Sequence, residues 1–308
     1  MSKVVFLFPG QGSQYVGMCK DILSDFVNAK EIFKTGSDVT GIDLARLVLE
    51  GPSSDLMRTE NLQPALTAVD MAICSAAREM GLTSAAVAGH SLGEYPALWA
   101  AGVITLEDVF RLVAERGRLM SEAGKSVSGS MAAVIGLSAE ELVGLIEPLQ
   151  QKGVISLANH NSPEQIVLTG EKGLISEACK LVKEHGARAI PLKVAGPFHS
   201  PLMKDAADKF LAVLSGVEFS APSCPVYSNV SAQAETDPVR IKDLLGRQMC
   251  SPVRWYETLV NMQGDGHDTF VELGPKKVLY NLVKKSLSDV KIFQAEDTDG
   301  IKSVLDGI

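Results

Sequence analysis

No two cysteines stand close together in this sequence: Cys19, Cys74, Cys179, Cys224 and Cys250 are scattered and odd in number. That excludes a Cys-x-x-Cys zinc or redox motif and predicts free thiols in a reducing compartment rather than a disulfide framework. Long apolar runs are missing too. The stretches 80–93 and 95–106 are broken by Glu94, Pro96 and several glycines, short of the roughly 20 apolar residues that a spanning helix needs. The early "VVFLF" is too short for the apolar core of a signal peptide. Basic charge is scarce: 29 Lys and Arg against 37 Asp and Glu leave a net charge of −8, which argues against a general nucleic-acid binder. These absences predict a soluble cytoplasmic protein that engages neither nucleic acid nor membrane. A monomer is expected.

What is present is an α/β rhythm over a length that supports one large domain or two smaller ones. "KVVFLF" predicts a buried strand, "NLQPALTAVDMAICSAAREMG" a helix with Pro64 near its start and Gly81 after its end, "SAAVAG" a second strand and "LGEYPALWAAG" a second helix. A different order begins near Ser126. "MAAVIGL", "SAEELVGLIEPLQQKG", "VISLANHNSPEQIVLTG", "EKGLISEACKLVKEHG" and "ARAIPLKVA" spell βαββαβ, with a turn expected over Asn159-His160-Asn161-Ser162-Pro163 and a capping box at Ser138 and Glu141. This is the pattern of a ferredoxin-like unit. The first rhythm then returns, with strands at "SCPVYSN" and "DTFVELG" and helices near 201–215, 238–247, 252–263 and 275–287. The boundaries predicted are a larger α/β domain from 1–127 and 196–308, carrying an inserted ferredoxin-like subdomain over 128–195.

The strongest chemical signal is "VAGHSLGEY", where Gly89-His90-Ser91-Leu92-Gly93 fits Gly-x-Ser-x-Gly between a strand and a helix. A serine on that strained turn is lifted out of the sheet, beside N–H groups able to stabilise an oxyanion. Its base must be one of five histidines. His90 adjoins the serine in a sharp turn, His185 ends a basic helix, His267 lies in a polar loop and His160 in the inserted unit. His199, in "VAGPFHSPLM", sits on a loop between a strand end and a helix start, a common place for a catalytic group. Position alone leaves it open between base and structural loop residue.

The loop "FPGQGSQYVG" invites a dinucleotide reading, but the third glycine of Gly-x-Gly-x-x-Gly should fall at Tyr15 and the next glycine is Gly17. The second strand with its acidic tip is replaced by a helical pattern, and no Gly-Lys-Ser/Thr follows. A glycine-supported turn presenting Gln11 remains, suited to supply a second oxyanion donor.

Together "FPGQGSQYVGM", "QPAL", "GHSLGE", "RGRLM", "MAAVIGL", "ANHNSPEQIVLTG", "GPFHS", "SNV", "SPVRW" and "ELGPKKVL" resemble, in order, the malonyl-CoA:acyl-carrier-protein transacylases of fatty acid synthesis. The resemblance extends over nearly the whole chain. It implies an α/β-hydrolase-like core with a ferredoxin-like insert, and a ping-pong acyl transfer. By it, Ser91 is the nucleophile and His199 the base, while the backbone N–H groups of Gln11 and Leu92 form the oxyanion hole. Arg116 grips the malonyl carboxylate, and the main-chain carbonyl of Gln248 orients the histidine. Phe198 crowds the acyl α-carbon, and Asn161 and Gln63 are further substrate-pocket residues. The substrates are malonyl-CoA and the phosphopantetheine arm of acyl carrier protein, a transient partner; no cofactor and no metal are implied. Lys276 departs from the family, which often has glycine there. A planar guanidinium suits a substrate carboxylate on physical grounds as well, though a solvated charged face is the usual fate of arginines like Arg111, Arg116 and Arg118. Alternatives are the same chemistry on the carrier domains of a polyketide synthase, a serine esterase or thioesterase, and a non-catalytic binding module.

Overall fold

Five consecutive apolar residues, Val4–Phe8, are all buried and form β1, as a strand covered on both faces requires. The computed structural model describes residues 3–308. The chain leaves β1 through α1 (Lys20–Asp25), α2 (Val27–Thr40), α3 (Leu44–Glu50) and α4 (Ser53–Leu56) to reach α5 (Thr59–Glu79). The small residues of α5 let it lie buried on most of its surface. Next come β2 (Ala86–Gly89), one tight turn at Ser91–Gly93, α6 (Glu94–Ala100) and α7 (Leu106–Ser126). A second run follows: β3 (Gly129–Ile135), α8 (Ala139–Gln150), β4 (Ile155–Ser162), β5 (Gln165–Glu171), α9 (Lys172–Glu184) and β6 (Arg188–Pro191). The remainder is α10 (Lys204–Ser215), β7 (Val226–Tyr227), β8 (Ala234–Glu235), α11 (Pro238–Arg247), α12 (Trp255–Gly264), β9 (Thr269–Leu273), α13 (Val278–Ser286), β10 (Lys291–Ala295) and α14 (Thr298–Gly307).

One sheet has the order β10-β9-β1-β2-β7-β8. Its neighbours are parallel except for β7 and β8. Phe8 of β1 lies opposite Gly89 of β2, so the loops that leave these two strands emerge side by side. That is the carboxyl edge, where open α/β sheets bind their ligands. The other sheet, β4-β5-β3-β6, is antiparallel throughout. Leu142 and Ile146 of α8 and Ile175 and Val182 of α9 pack on it in a core of its own, and α8 starts on the predicted capping box. Backbone bonds stitch the two units together: the His160 N–H donates to the Val253 carbonyl, and the Val253 N–H to that of Ala158.

That stitch corrects one expectation. β4 runs on through Ser162, leaving only Pro163 and Glu164 as the turn, because the backbone around Asn159 is paired with the Val253 segment as well as with β5. Strands β8 and β10 and helix α14 lie outside the elements predicted, and β7 shrinks to two residues. Among the described residues no helix is long and apolar enough to cross a membrane.

Candidate active site

The turn after β2 is an elbow. Ser91 has φ 53, a left-handed conformation that a non-glycine residue adopts only under constraint. The constraint is packing against the neighbouring strand: a Cβ on Gly93 would lie 2.0 Å from the Phe8 carbonyl oxygen. Asn229 braces the turn from behind, its Oδ1 accepting from the Ser91 N–H at 2.6 Å and its Nδ2 donating to the Gly89 carbonyl at 2.7 Å. The serine hydroxyl is thereby fixed at the carboxyl edge of the sheet.

His199 meets it there. Its Nε2 is 2.8 Å from Ser91 Oγ, and its Nδ1 is 3.0 Å from the main-chain carbonyl of Gln248. A carbonyl only accepts, so Nδ1 carries the proton and Nε2 presents its lone pair to the serine. Burial, and next the positive charge of Arg116, lowers the His199 pKa to about 3. The ring is therefore a neutral base throughout the neutral range.

Arg116 extends from α7 into the same space and is 1% exposed. Its Nη2 donates to Ser91 Oγ at 3.1 Å and to Gln248 Oε1 at 2.9 Å, and its Nη1 to Gln63 Oε1 at 3.0 Å. All three acceptors are neutral, and burial pulls the guanidinium pKa below its ordinary value. Its hydrogen bonds go to uncharged groups, while the Glu94 carboxylate near it bonds Gln248 instead, which leaves the guanidinium able to take an anionic partner that arrives from solution. The cavity beside it, about 130 Å³, is lined by Gln11, Ser91, Leu92, Arg116, Phe198 and His199, with Met120 and Met131 among its apolar walls. Its size suits a short acyl group. A larger hollow of about 510 Å³ between α10 and α11 has no histidine among its lining residues to activate Ser215, and the chemistry lies with the smaller one.

The first loop reaches this cavity because Gly10 lets it. A Cβ there would stand 2.4 Å from the His90 carbonyl oxygen, so only glycine brings the loop against the elbow. Ser13 Oγ donates to the Gly10 carbonyl, and the Gly12 N–H to Gln14 Oε1. Lys276 Nζ reaches the carbonyls of Gly12 and Gln14 at 3.3 and 3.1 Å. Lys276 itself has φ 66, a conformation that glycine takes more easily, which agrees with glycine being usual there in the family it resembles.

Ser91, His199, Arg116, Gln248, Phe198, Gln11 and Leu92 are thus brought together. Two expected pocket residues sit differently. Asn161 Oδ1 accepts from His90 Nε2 at 2.7 Å, and Asn159 lines the cavity instead. Two register shifts in β4, between Leu157 and Asn159 and between His160 and Ser162, break the strand alternation that a sequence reading assumes. Gln63 lies behind Arg116 and bonds to it. Sequence reasoning missed Asn229 and Glu94 as parts of the site. Their signals were the "SNV" segment and the glutamate that closes "GHSLGE", both visible only as pieces of a motif.

A serine raised on an elbow and paired with a neutral histidine, with Gln11 and Leu92 on the same cavity wall, is equipped for acyl transfer through a covalent acyl-serine. That defines the class as serine-dependent acyl-transfer enzymes. Known proteins narrow it. The family model described as acyl transferase domain matches residues 5–303. The malonyl CoA-acyl carrier protein transacylase of Bacillus subtilis (strain 168) is 42% identical over 304 residues, covering 98% of this chain and 96% of that protein. The crystal structure of an acyl carrier protein S-malonyltransferase from Vibrio cholerae matches with a TM-score of 0.95 at 44% identity, over 98% of this chain and 100% of that one. A malonyl-transacylase solved in complex with its type II PKS acyl-carrier protein matches with a TM-score of 0.95 at 40% identity, over the full length of both chains. This chain belongs to the malonyl-CoA:acyl carrier protein transacylase family, and it is an acyltransferase.

Proposed function

We propose that the protein transfers the malonyl group from malonyl-CoA to the phosphopantetheine thiol of an acyl carrier protein, in fatty acid biosynthesis, through a malonyl-serine. The observation that carries this is the Arg116 guanidinium, buried beside the nucleophile and hydrogen-bonded to uncharged side chains. A malonyl thioester has a free carboxylate to pair with it, and an ordinary ester substrate has none. With the carboxylate on Arg116, Ser91 Oγ attacks the thioester carbonyl while its proton passes to His199 Nε2. The N–H groups of Gln11 and Leu92 receive the oxyanion. The C–S bond breaks, and the coenzyme A sulfur takes the proton from His199. The carrier thiol then gives its proton to the same nitrogen, attacks the acyl-serine carbonyl and releases Ser91, which recovers the proton. The Gln248 carbonyl stabilises the imidazolium at each stage in place of an acidic third member. This reading needs no cofactor and no metal, and it places the reaction in the cytoplasm with a monomeric enzyme.

We further read the chain as an α/β-hydrolase-like core of residues 1–127 and 196–308 with a ferredoxin-like subdomain at 128–195. The separate antiparallel sheet with its own apolar cluster supports this division. A second reading concerns only the carrier: a polyketide synthase carrier protein is favoured by the likeness to a transacylase captured with a type II PKS carrier. Mixing the protein with malonyl-CoA and measuring intact mass tests the shared chemistry. A malonyl adduct on Ser91 that a carrier protein discharges is expected. An adduct lost to water without carrier marks an esterase, and no adduct marks a binding module.

Phe198 makes a second test. It is buried at 5% exposure on the wall of the cavity, where an α-methyl branch on the acyl group meets the ring. Overpacking costs about 1–3 kcal/mol, or about tenfold to a hundredfold in rate. Methylmalonyl-CoA is expected to react that much more slowly than malonyl-CoA, and Phe198→Ser to narrow the gap. Equal rates in the unmodified protein contradict this role.

A further inference from the structure

Glu94 follows the elbow directly and is 2% exposed, yet the acyl-transfer steps above make no use of it. Its Oε2 accepts from Gln248 Nε2 at 2.6 Å. The Asn229 backbone N–H and the Ser228 side chain also bond to the carboxylate. Gln248 is in turn bonded at every polar position of its side chain. The second Nε2 hydrogen goes to the Ser91 carbonyl at 2.9 Å, Oε1 takes Arg116 Nη2, and the main-chain carbonyl holds His199 Nδ1. One residue therefore carries the base, the arginine and the backbone of the nucleophile.

We propose that Glu94 is the positioning residue of the site: its carboxylate, an acceptor facing donors, fixes Gln248, whose side-chain amide holds Arg116 and whose main-chain carbonyl holds His199. This rests on the malonyl-transfer reading above and deepens it. The chemistry of the shell supplies the reason. An ionised carboxylate is acceptor-only, so it satisfies the Gln248 Nε2–H, the Asn229 N–H and the Ser228 hydroxyl together. A protonated or amidated side chain turns one acceptor into a donor, and where that donor faces the Gln248 Nε2–H the amide of Gln248 must shift.

The site is consequently sensitive to pH. Burial pushes the Glu94 pKa up to about 7, against the pull of its hydrogen bonds and of Arg116. Arg116 on α7 is the cation facing it, Tyr95 beside it on α6 is kept neutral by burial, and His199 hangs from the same Gln248. The sign follows directly. The carboxylate is ionised and the alignment complete above about 7, and both are lost as pH falls through that value. His199, lowered to about 3, does not titrate in this window. Glu272 on β9 does, also pushed up by burial to about 7, but it accepts from the Leu279 and Tyr280 N–H groups and touches none of the site residues named here.

The test is the pH profile of kcat/KM, which reports groups of the free enzyme, measured with malonyl-pantetheine because that substrate carries no phosphate. The unmodified protein is expected to show an acid limb near 7. Glu94→Gln is expected to abolish the limb and leave a flat profile at about the level of the parent's acid plateau. Misplacement of reacting groups by about 1 Å costs about a hundredfold, so kcat should fall about 10- to 100-fold. KM should stay within about threefold, because Arg116 keeps its bonds to Gln63 and Ser91. A limb that survives in Glu94→Gln overturns the proposal and passes the titration to another group such as Glu272. A flat profile in the unmodified protein overturns it without any variant, so a misfolded Glu94→Gln does not shield it. Failure of the unmodified protein to form a malonyl adduct is a different outcome, and it removes the malonyl-transfer reading itself.

Discussion

Ser91→Ala is expected to give a folded protein that forms no acyl adduct and whose malonyl transfer falls by at least about 10⁴-fold. The hydroxyl is the one nucleophile on the cavity wall within reach of a neutral base, 2.8 Å from His199 Nε2. His199→Ala should cost nearly as much, since residues acting as one unit lose their effect together. The double variant should be little worse than either. The pH dependence is expected to be alike in the two variants. Because burial and Arg116 hold His199 at about 3, the base is already free at neutral pH, and raising the pH should not restore Ser91→Ala or His199→Ala. Rapid-quench detection of a labelled acyl-protein checks the first variant, and steady-state transfer to carrier protein the second. An acyl adduct that persists in Ser91→Ala would move the nucleophile elsewhere.

The elbow was legible because its determinants are local. A strand, a Gly-x-Ser-x-Gly turn and a helix follow one another within fifteen residues of sequence from Ala86 to Ala100, and glycine is required where Gly93 touches the Phe8 carbonyl. That the first loop turns toward the elbow rather than cradling a dinucleotide was legible by elimination, since its glycine spacing fails that cradle. His199 was readable only as a loop histidine, and its partner, the Gln248 carbonyl, is a main-chain atom that no side-chain pattern announces. Contacts that join distant segments were out of reach. Asn229 closes on the elbow across 138 residues of chain, and Glu94 on Gln248 across 154. Neither has a spacing from which to read it. Asn161 was assigned to the pocket on a motif, whereas two bulges in β4 decide which asparagine faces the cavity. The edge elements β10 and α14 were missed because "KIFQA" is only half-buried, and its apolar signal is correspondingly weak.

Arg116→Met should separate recognition from chemistry. The variant keeps an unbranched stem among Gln63, Tyr95 and Gln248 but removes the charge, so kcat/KM for malonyl-CoA is expected to fall by about 10²–10³-fold. Losing one partner of a buried, hydrogen-bonded charge pair costs about 2–5 kcal/mol, which is about that range at tenfold per 1.4 kcal/mol. Acetyl-CoA has no carboxylate to lose, and its slow reaction should change by less than about fivefold. Selectivity between the two thioesters therefore collapses from the malonyl side. Arg116→Lys retains charge without the planar fork and should fall between parent and Arg116→Met. Folding should be preserved in Arg116→Met, because desolvation weighs against the buried cation and an apolar side chain of similar length carries no such cost. A second consequence follows from the His199 environment. Arg116 is the second cause of the low imidazole pKa, after burial. Its removal favours the imidazolium, so the pKa rises, and the pH below which the base is protonated moves upward. Measured in a Glu94→Gln background, which removes the carboxylate limb that Arg116 also holds down, acetyl transfer in Arg116→Met should then show an acid limb at higher pH than in Arg116→Lys, which keeps the cation. Coincident limbs in the two variants would mean that burial alone sets the basicity of His199, and that Arg116 acts on the substrate carboxylate without tuning the base.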